Sequence, residues 1–291
     1  MRALVATDLS ESADEAIRQA HAYCDGSSAL AVCIVLQSHL QSVEPFLARP
    51  LHDAASLAHV ESAVRDRVVN VTKRARAAFE VFVDQGSAYA EIVRRAEHWR
   101  PDLLVVGSHG HTGLKRILLG SVAERVTRYA PCAVLVARPG AHASTVVAAT
   151  DLSDVSLPAL TAGRDEAARR HAALVVVHAV DIEPTYAMAG LPFGGVPLTV
   201  SAEVLRDVQA AASTMLTTAL KSAKTTAEAR VVAGDAAAAI VNEAETRDAE
   251  LVVVGTHGRT GLARVALGSV AEKVVRAAPC SILVVRLEPR R

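Results

Sequence analysis

The chain has 291 residues, and Lys+Arg and Asp+Glu both number 31, so its formal net charge is zero; that excludes the broadly basic surface by which proteins hold nucleic acid. It is 51% hydrophobic but only 3% aromatic, so a core must be built from Ala, Val and Leu, and its length suits about two domains of ordinary size. No apolar run approaches the roughly 20 residues needed to span a bilayer, the opening MRALVATDLS reaches Asp8 too early for a secretory signal, and four cysteines without a C-x-x-C pair fit a reducing cytoplasm.

Taken in order, the predicted elements run twice through the same series. A short apolar strand, Ala3 to Thr7, ends in Asp8-Leu9-Ser10 and passes into a helix pattern. A second strand is expected over Ala29 to Leu36, a long helix over about 56 to 78, and a third strand over Phe79 to Val83 with Gly86 just beyond. A helix over Tyr89 to His98 leads to a fourth strand, a glycine loop, a helix from Val122 and a fifth strand at Ala133 to Ala137. The series then restarts. Val146 to Thr150 ends in Asp151-Leu152-Ser153, followed by a strand at Ala173 to Ala179, a helix at 202 to 223 and a strand at Ala229 to Val232 with Gly234 beyond. A helix over Ala236 to Thr246, the second glycine loop, a helix from Val270 and a strand at Ser281 to Val285 complete it. Strands alternating with helices of this length predict βαβ units and a parallel sheet, and strands that are apolar throughout fit a sheet covered on both faces. Two domains, 1–140 and 144–291, are therefore expected. Each is an α/β fold with a five-stranded parallel sheet of order 3-2-1-4-5, and the two pack as a pseudo-dimer through their fifth strands. The stretches Gln37 to Asp53 and Asp181 to Thr199 differ most between the copies and read as surface loops.

The strongest signal is the repeated loop. Residues 103–138 and 251–286 align without a gap, and 24 of the 36 positions are identical. Both copies keep one glycine spacing, Gly107-x2-Gly110-x9-Gly120-Ser121 and Gly255-x2-Gly258-x9-Gly268-Ser269. Packing a strand requires no such spacing. Glycines allow backbone to approach a phosphate, and a helix starting after Gly120 or Gly268 adds unpaired amides and a positive dipole end. In the expected strand order, strands 1 and 4 are neighbours whose connections leave on opposite faces, which opens a crevice at their carboxyl ends. Asp8 and the Gly107 loop meet there, as do Asp151 and the Gly255 loop. The aspartates, of like charge to phosphate, suit a ribose hydroxyl or an adenine amino group, and Mg²⁺ fits between the phosphates.

Plainer readings compete. Ser121-Val122-Ala123-Glu124 and Ser269-Val270-Ala271-Glu272 are also capping boxes, and Asp8 could cap its helix. His109 and His257 match across the copies and read as loop-shaping residues with one contact to phosphate, since no second ligand of paired spacing makes a metal site. Cys132 and Cys280, each after Ala-Pro, read as small buried hydrophobes. Of Lys115-Arg116 and Ala263-Arg264, only the arginine is common to both copies, and it reads as a surface residue.

The spacing is neither a Walker A loop nor G-x-G-x-x-G. It resembles the nucleotide loop of the universal stress protein family. VATDLSESADEAI and VAATDLSDVSLPAL are similar to that family's first strand, aspartate and helix, and APCAVLVARP and APCSILVVR to its last strand. The resemblance covers nearly the whole chain as a tandem pair of the ATP-binding type. It implies that ATP, or ADP or AMP, binds with Mg²⁺, and that single-domain relatives dimerise through their last strands. Adenine and ribose would be held by Ala6, Asp8 and Leu36 in one half and by Ala149, Asp151 and Ala179 in the other. Phosphates would sit on Gly107, His109, Gly110, Gly120, Ser121 and Val122, and on Gly255, His257, Gly258, Gly268, Ser269 and Val270. Ala123 and Ala271 stand where some ATP-binding relatives carry a second hydroxyl, and Val35 is read as standing where the second half has His178.

Two function classes follow: a nucleotide-dependent stress-response regulator in the cytoplasm, read by an unidentified protein partner, or a slow ATPase or phosphotransferase. The first is favoured because neither loop repeats an acid–base pair beside the phosphates, so no catalytic residue is assigned. Neither nucleic acid nor membrane is an expected partner, and the whole chain could form a further homodimer.

Overall fold

The computed structural model describes residues 1–24, 28–36, 54–110, 119–140, 143–180, 202–256 and 267–286. In the first half β1 (Arg2–Thr7), α1 (Glu11–Ala22), β2 (Ala29–Leu36), α2 (Ala54–Thr72), β3 (Glu80–Gln85), α3 (Ala88–Trp99), β4 (Leu103–Gly107), α4 (Ser121–Tyr129) and β5 (Ala133–Ala137) alternate without exception. The second half repeats them as β6 (Ala143–Ala149), α5 (Leu157–Arg170), β7 (Ala173–Val180), α6 (Ala202–Ser222), β8 (Glu228–Ala233), α7 (Ala236–Thr246), β9 (Ala249–Gly255), α8 (Ser269–Ala277) and β10 (Ser281–Val285), with a 3-10 turn at Asp154–Ser156 before α5.

All ten strands lie in one sheet of order β3-β2-β1-β4-β5-β10-β9-β6-β7-β8. Each half is parallel in the expected order 3-2-1-4-5. The seam between them is the single antiparallel pair among the described residues, β5 with β10, where Leu135 faces Leu283. Both leucines are almost wholly buried. On one side of the sheet α1, α2, α5 and α6 pack on Val5, Val32, Val146, Ala148 and Val176, with Ile17, Val68, Leu160 and Leu216 at the centre. On the other side α3, α4, α7 and α8 supply Ile92, Val126, Ile240 and Val274. Each of the two apolar layers runs unbroken from one half into the other.

Several boundaries move. The long first-half helix ends at Thr72, not near 78, because Lys73 turns left-handed (φ 58°) and ends it. The third strand accordingly starts at Glu80 and reaches Gln85. The segments 37–53 and 181–199, expected as loops, lie outside the described residues, as do Lys115, Arg116, Ala263 and Arg264. Strand register also corrects a comparison between the halves. Arg2 pairs with Ala29 and Thr145 with Ala173, so His178 matches Ile34 rather than Val35. By the same count Ala179 matches Val35, and Leu36 matches Val180.

Polar contacts reinforce the seam in near-twofold pairs. Arg128 donates to Glu272 (2.9 Å) and Arg276 to Glu124 (2.8 Å). The Arg138 guanidinium reaches the carbonyls of Val275 (2.7 Å) and Ala278, and that of Arg286 reaches Thr127 and Arg128 (2.7 Å each). Beneath them the Tyr23 hydroxyl donates to Glu166 (2.7 Å) and accepts from Arg170 (3.1 Å). Burial, then the Glu166 charge, push the Tyr23 phenol well above its usual range.

The seam should be sensitive to charge. Replacing Leu135 and Leu283 together with lysine places two like charges opposite each other in a closed layer, where even truncating one leucine costs about 2–5 kcal/mol. The double variant is expected to melt far below the parent and to expand in small-angle scattering. A parent-like curve in both would show that the halves are held elsewhere.

Candidate functional site

The two sequence-distant features come together at the carboxyl ends of the strands. After β1 the chain turns sharply at Leu9, a leucine in left-handed conformation (φ 66°), and Leu152 repeats this (φ 65°). Such a backbone is costly for a branched side chain, and two hydrogen bonds hold it. Thr7 Oγ1 accepts the Leu9 N–H (3.0 Å) and Asp8 Oδ1 accepts the Ser10 N–H (3.0 Å). Thr150 and Asp151 do the same for Leu152 and Ser153, both at 3.0 Å. Asp8 is therefore not the helix cap. Ser10 is, accepting from Ala13 (3.3 Å). In the second half Ser153 also donates to Asp151 (2.5 Å), and the helix begins after the 3-10 turn with Pro158 in its first turn.

The glycine loop leaves β4 under equally tight control. The Ser108 N–H donates to Ala137 (3.1 Å) and the Gly120 N–H to Ser108 (2.8 Å), so residues on either side of the loop are tied together where α4 begins. Thr256 donates to Val285 (3.0 Å) and Gly268 to Thr256 (2.7 Å) in the second half. Ser12, in the first turn of α1, accepts the His109 N–H (3.2 Å), and the His109 ring contacts Ser108 Oγ through Nδ1 (2.8 Å). This explains the glycines unequally. A Cβ on Gly107 would lie 2.8 Å from the Ser12 carbonyl oxygen, so this glycine is needed for the close approach of α1. A Cβ on Gly110 would lie 2.7 Å from Asp8 Oδ2, so loop and aspartate touch at this point.

The capping-box reading of the serines fails. Gly120 and Gly268 are the caps, with extended backbone (ψ 145° and 152°), and their carbonyls accept from Glu124 and Glu272 (both 2.9 Å). Ser121 and Ser269 thus occupy the first helical position, make no capping bond, and are exposed. The first-turn amides of α4 and α8 have no acceptor within their helices. From Ser121 a cleft of about 550 Å³ follows α4 to Tyr129, lined by Tyr89, Glu124, Arg125 and Arg128. Arg125 lies 4.8 Å over the Tyr89 ring.

Of the expected site residues, Ala6, Asp8, Leu36, Gly107, His109, Gly110, Gly120, Ser121 and Val122 all lie at or just beyond the carboxyl ends of β1, β2 and β4 or at the start of α4. Leu36 stands further out, paired with Gln85 of β3. Ala149, Asp151, Ala179, Gly255, Gly268, Ser269 and Val270 occupy the same end of the second half, whereas His257 and Gly258 lie outside the described residues. Thr7, Thr150, Leu9, Leu152 and Ser12 join the site without having been expected there. The identical Thr-Asp-Leu-Ser in both halves is the available signal for the turn; nothing local marks Ser12, which is recruited by packing. The cysteines behave as hydrophobes: burial pushes the thiols of Cys33, Cys132 and Cys280 up to about 12. Among the described residues no group of three or more His, Cys, Asp or Glu could hold a metal, and no helix is long and apolar enough to cross a membrane.

Two outcomes follow. Gly107→Ala should cost about 1–3 kcal/mol, as overpacking against backbone does, and lower the melting temperature by several degrees, while Gly110→Ala should melt close to the parent because only a side-chain carboxylate must give way. Equal melting of the two variants would refute the division of roles. Cys33, Cys132 and Cys280 of the native protein should resist alkylation at pH 8, because thiols raised to about 12 stay protonated there and only thiolates react, and the buried Cys24 should be shielded by packing; denaturant should release all four. Fast labelling of the folded protein would contradict the burial.

Comparison with known proteins agrees with the duplicated architecture. The chain is 32% identical over 191 residues to a universal stress protein of Mycobacterium tuberculosis, covering 64% of this chain and 62% of that protein. It is 36% identical over 148 residues to one from Methanocaldococcus jannaschii, covering 48% of this chain and 81% of that protein. Thus it spans just over six-tenths of the mycobacterial relative's length. The crystal structure of a universal stress protein from Archaeoglobus fulgidus has the same fold, with a TM-score of 0.64 at 19% identity, covering 98% of each chain. The model of the universal stress protein family matches residues 1–138 and again 143–286. The chain belongs to the universal stress protein family, with two copies of the domain in tandem.

Proposed function

We propose that each half binds one adenine nucleotide, ATP with Mg²⁺, and that the chain is a nucleotide-dependent stress-response regulator of the cytoplasm whose occupied state is read by another protein. The observation that carries this reading is the contact between two motifs about a hundred residues apart: Gly110 lies so close to Asp8 that a Cβ would sit 2.7 Å from its carboxylate, beside the start of α4. A carboxylate suited to a sugar hydroxyl, a glycine beside it and the amides of a helix start at the same end of the sheet are the elements that a bound nucleotide would use. Ser121, exposed and free of a capping role, adds a hydroxyl at the phosphate end.

In the second half Asp151, Gly268 and Ser269 stand in the same relation to their strands, so two sites per chain are proposed. Each half offers one carboxylate at the end of its first strand. That suits a magnesium ion carried in on phosphates, with most of its ligands supplied by nucleotide and water. Asp8 Oδ1 already holds the Ser10 amide, which fits a residue that orients a sugar better than a base that activates water. The regulator is therefore preferred to the slow ATPase.

Calorimetric titration of nucleotide-stripped protein with Mg-ATP should approach two sites per chain. Gly110→Val should remove one of them while leaving the fold. A stoichiometry of one in the parent would overturn the two-site reading, and turnover well above background would favour the enzyme.

A further inference from the structure

The two arginines at the ends of β5 and β10 do not serve their own halves. Arg138 follows β5, is only 6% exposed, and sends its guanidinium to the carbonyls of Val275, Arg276 and Ala278 at the end of α8 (2.7 Å to Val275, 3.4 Å to Arg276). Arg286 follows β10 and binds the carbonyls of Thr127 and Arg128 at the end of α4. The last four carbonyls of a helix lack partners within it, and that end carries partial negative charge. A buried guanidinium with several fixed donors meets both demands at once. Each helix so held is nine residues long and starts at the serine of the opposite half's candidate phosphate site.

The same arginines are tied to their own loops. The Ser108 amide bonds to Ala137, the residue before Arg138, and the Thr256 amide bonds to Val285, the residue before Arg286. The Arg138 amide also donates to Ser281 Oγ (3.1 Å), whose hydroxyl donates back to the Arg138 carbonyl (3.2 Å). Backbone of one half, guanidinium, and helix of the other half thus form a continuous rigid path, present twice with opposite sense.

We propose that Arg138 and Arg286 are positioning residues that act across the seam: Arg286 sets the axial position of α4 and so the Ser121 site, and Arg138 sets α8 and so the Ser269 site. This rests on the reading of those helix starts as phosphate sites. Neither half is then complete as a binding unit without the terminal arginine of the other. A residue that merely stabilised the seam would affect both sites alike, whereas these predict a crossed pattern.

The test uses the full chain and Mg-ATP, with binding followed at each site by the amide resonances of Ser121 and Ser269. Arg286→Met should weaken binding at Ser121 about fivefold or more and leave Ser269 as in the parent; Arg138→Met should do the reverse. Arg286→Lys, which returns the charge without the fork, should recover part of the loss. Equal weakening at both sites, or weakening confined to the arginine's own half, overturns the proposal. If the parent binds no nucleotide, the functional reading fails by itself. Hydrogen exchange of the ligand-free protein then decides the positioning role: faster exchange in α4 but not α8 for Arg286→Lys supports it, and unchanged exchange in α4 refutes it.

Discussion

Backbone hydrogen bonding between β5 and β10 joins two edges that would otherwise be exposed, and most of what is distinctive about the molecule depends on that pairing. An apolar five-residue edge strand is a template for unwanted association. Here each copy of the edge satisfies the other, with Leu135 opposite Leu283. The antiparallel sense follows from a twofold relation between like surfaces, as in an isologous dimer. Covalent linkage makes the encounter intramolecular and raises its effective concentration. Because the sheet continues, the helices on each side meet their counterparts, and the apolar layers close over the seam. Among the described residues the outer edges, β3 and β8, are the strands left without a second neighbour in the sheet.

The seam also arranges the two candidate sites. Both lie at carboxyl ends of parallel strands, where the loops after β1 and β4 separate to opposite faces. Joining the sheets through their fifth strands puts the loop-bearing strands β4 and β9 one strand away from the pair. The helices that leave those loops, α4 and α8, therefore run side by side, close enough for reciprocal Arg–Glu pairs. Those pairs are partly exposed and add little stability in salt. Their geometric value is greater, since they hold two short helices in register.

Strand order is legible because the repeat fixes which segments are equivalent and apolar runs punctuated by Gly86, Gly234 and the loop glycines mark the strand ends. The meeting of Asp8 with Gly110 follows from topology alone. What escapes is whatever depends on atoms far apart in sequence or on an improbable backbone. No propensity places a leucine at positive φ, so nothing in the sequence marks Leu9 and Leu152. The serine capping box is off by one residue, because a glycine and a serine side by side can each begin a helix and only backbone geometry chooses between them. That Gly107 also packs closely against Ser12 is not legible either, because the contact is made by a residue nearly a hundred positions away. The matching of His178 slips by one place, since apolar strands such as ALAVCIVL and ALVVVHAV carry few landmarks until pairing with β1 and β6 is known.

The contact between Tyr23 and Glu166 bears on how the two copies recognise each other. Aligned from Asp8 and Asp151, these residues are the same position of the repeat, and they touch across the pseudo-twofold axis. A position on such an axis meets its own image in a homotypic pair. Two second-half domains paired that way would bring one Glu166, with the Arg170 of its own helix, against another, without the phenol that now donates to it. Two first-half domains would set tyrosine against tyrosine and lose the Arg170 contact. Divergence at one axial residue has therefore set a donor on one copy against an acceptor on the other, where an exact repeat would set like against like.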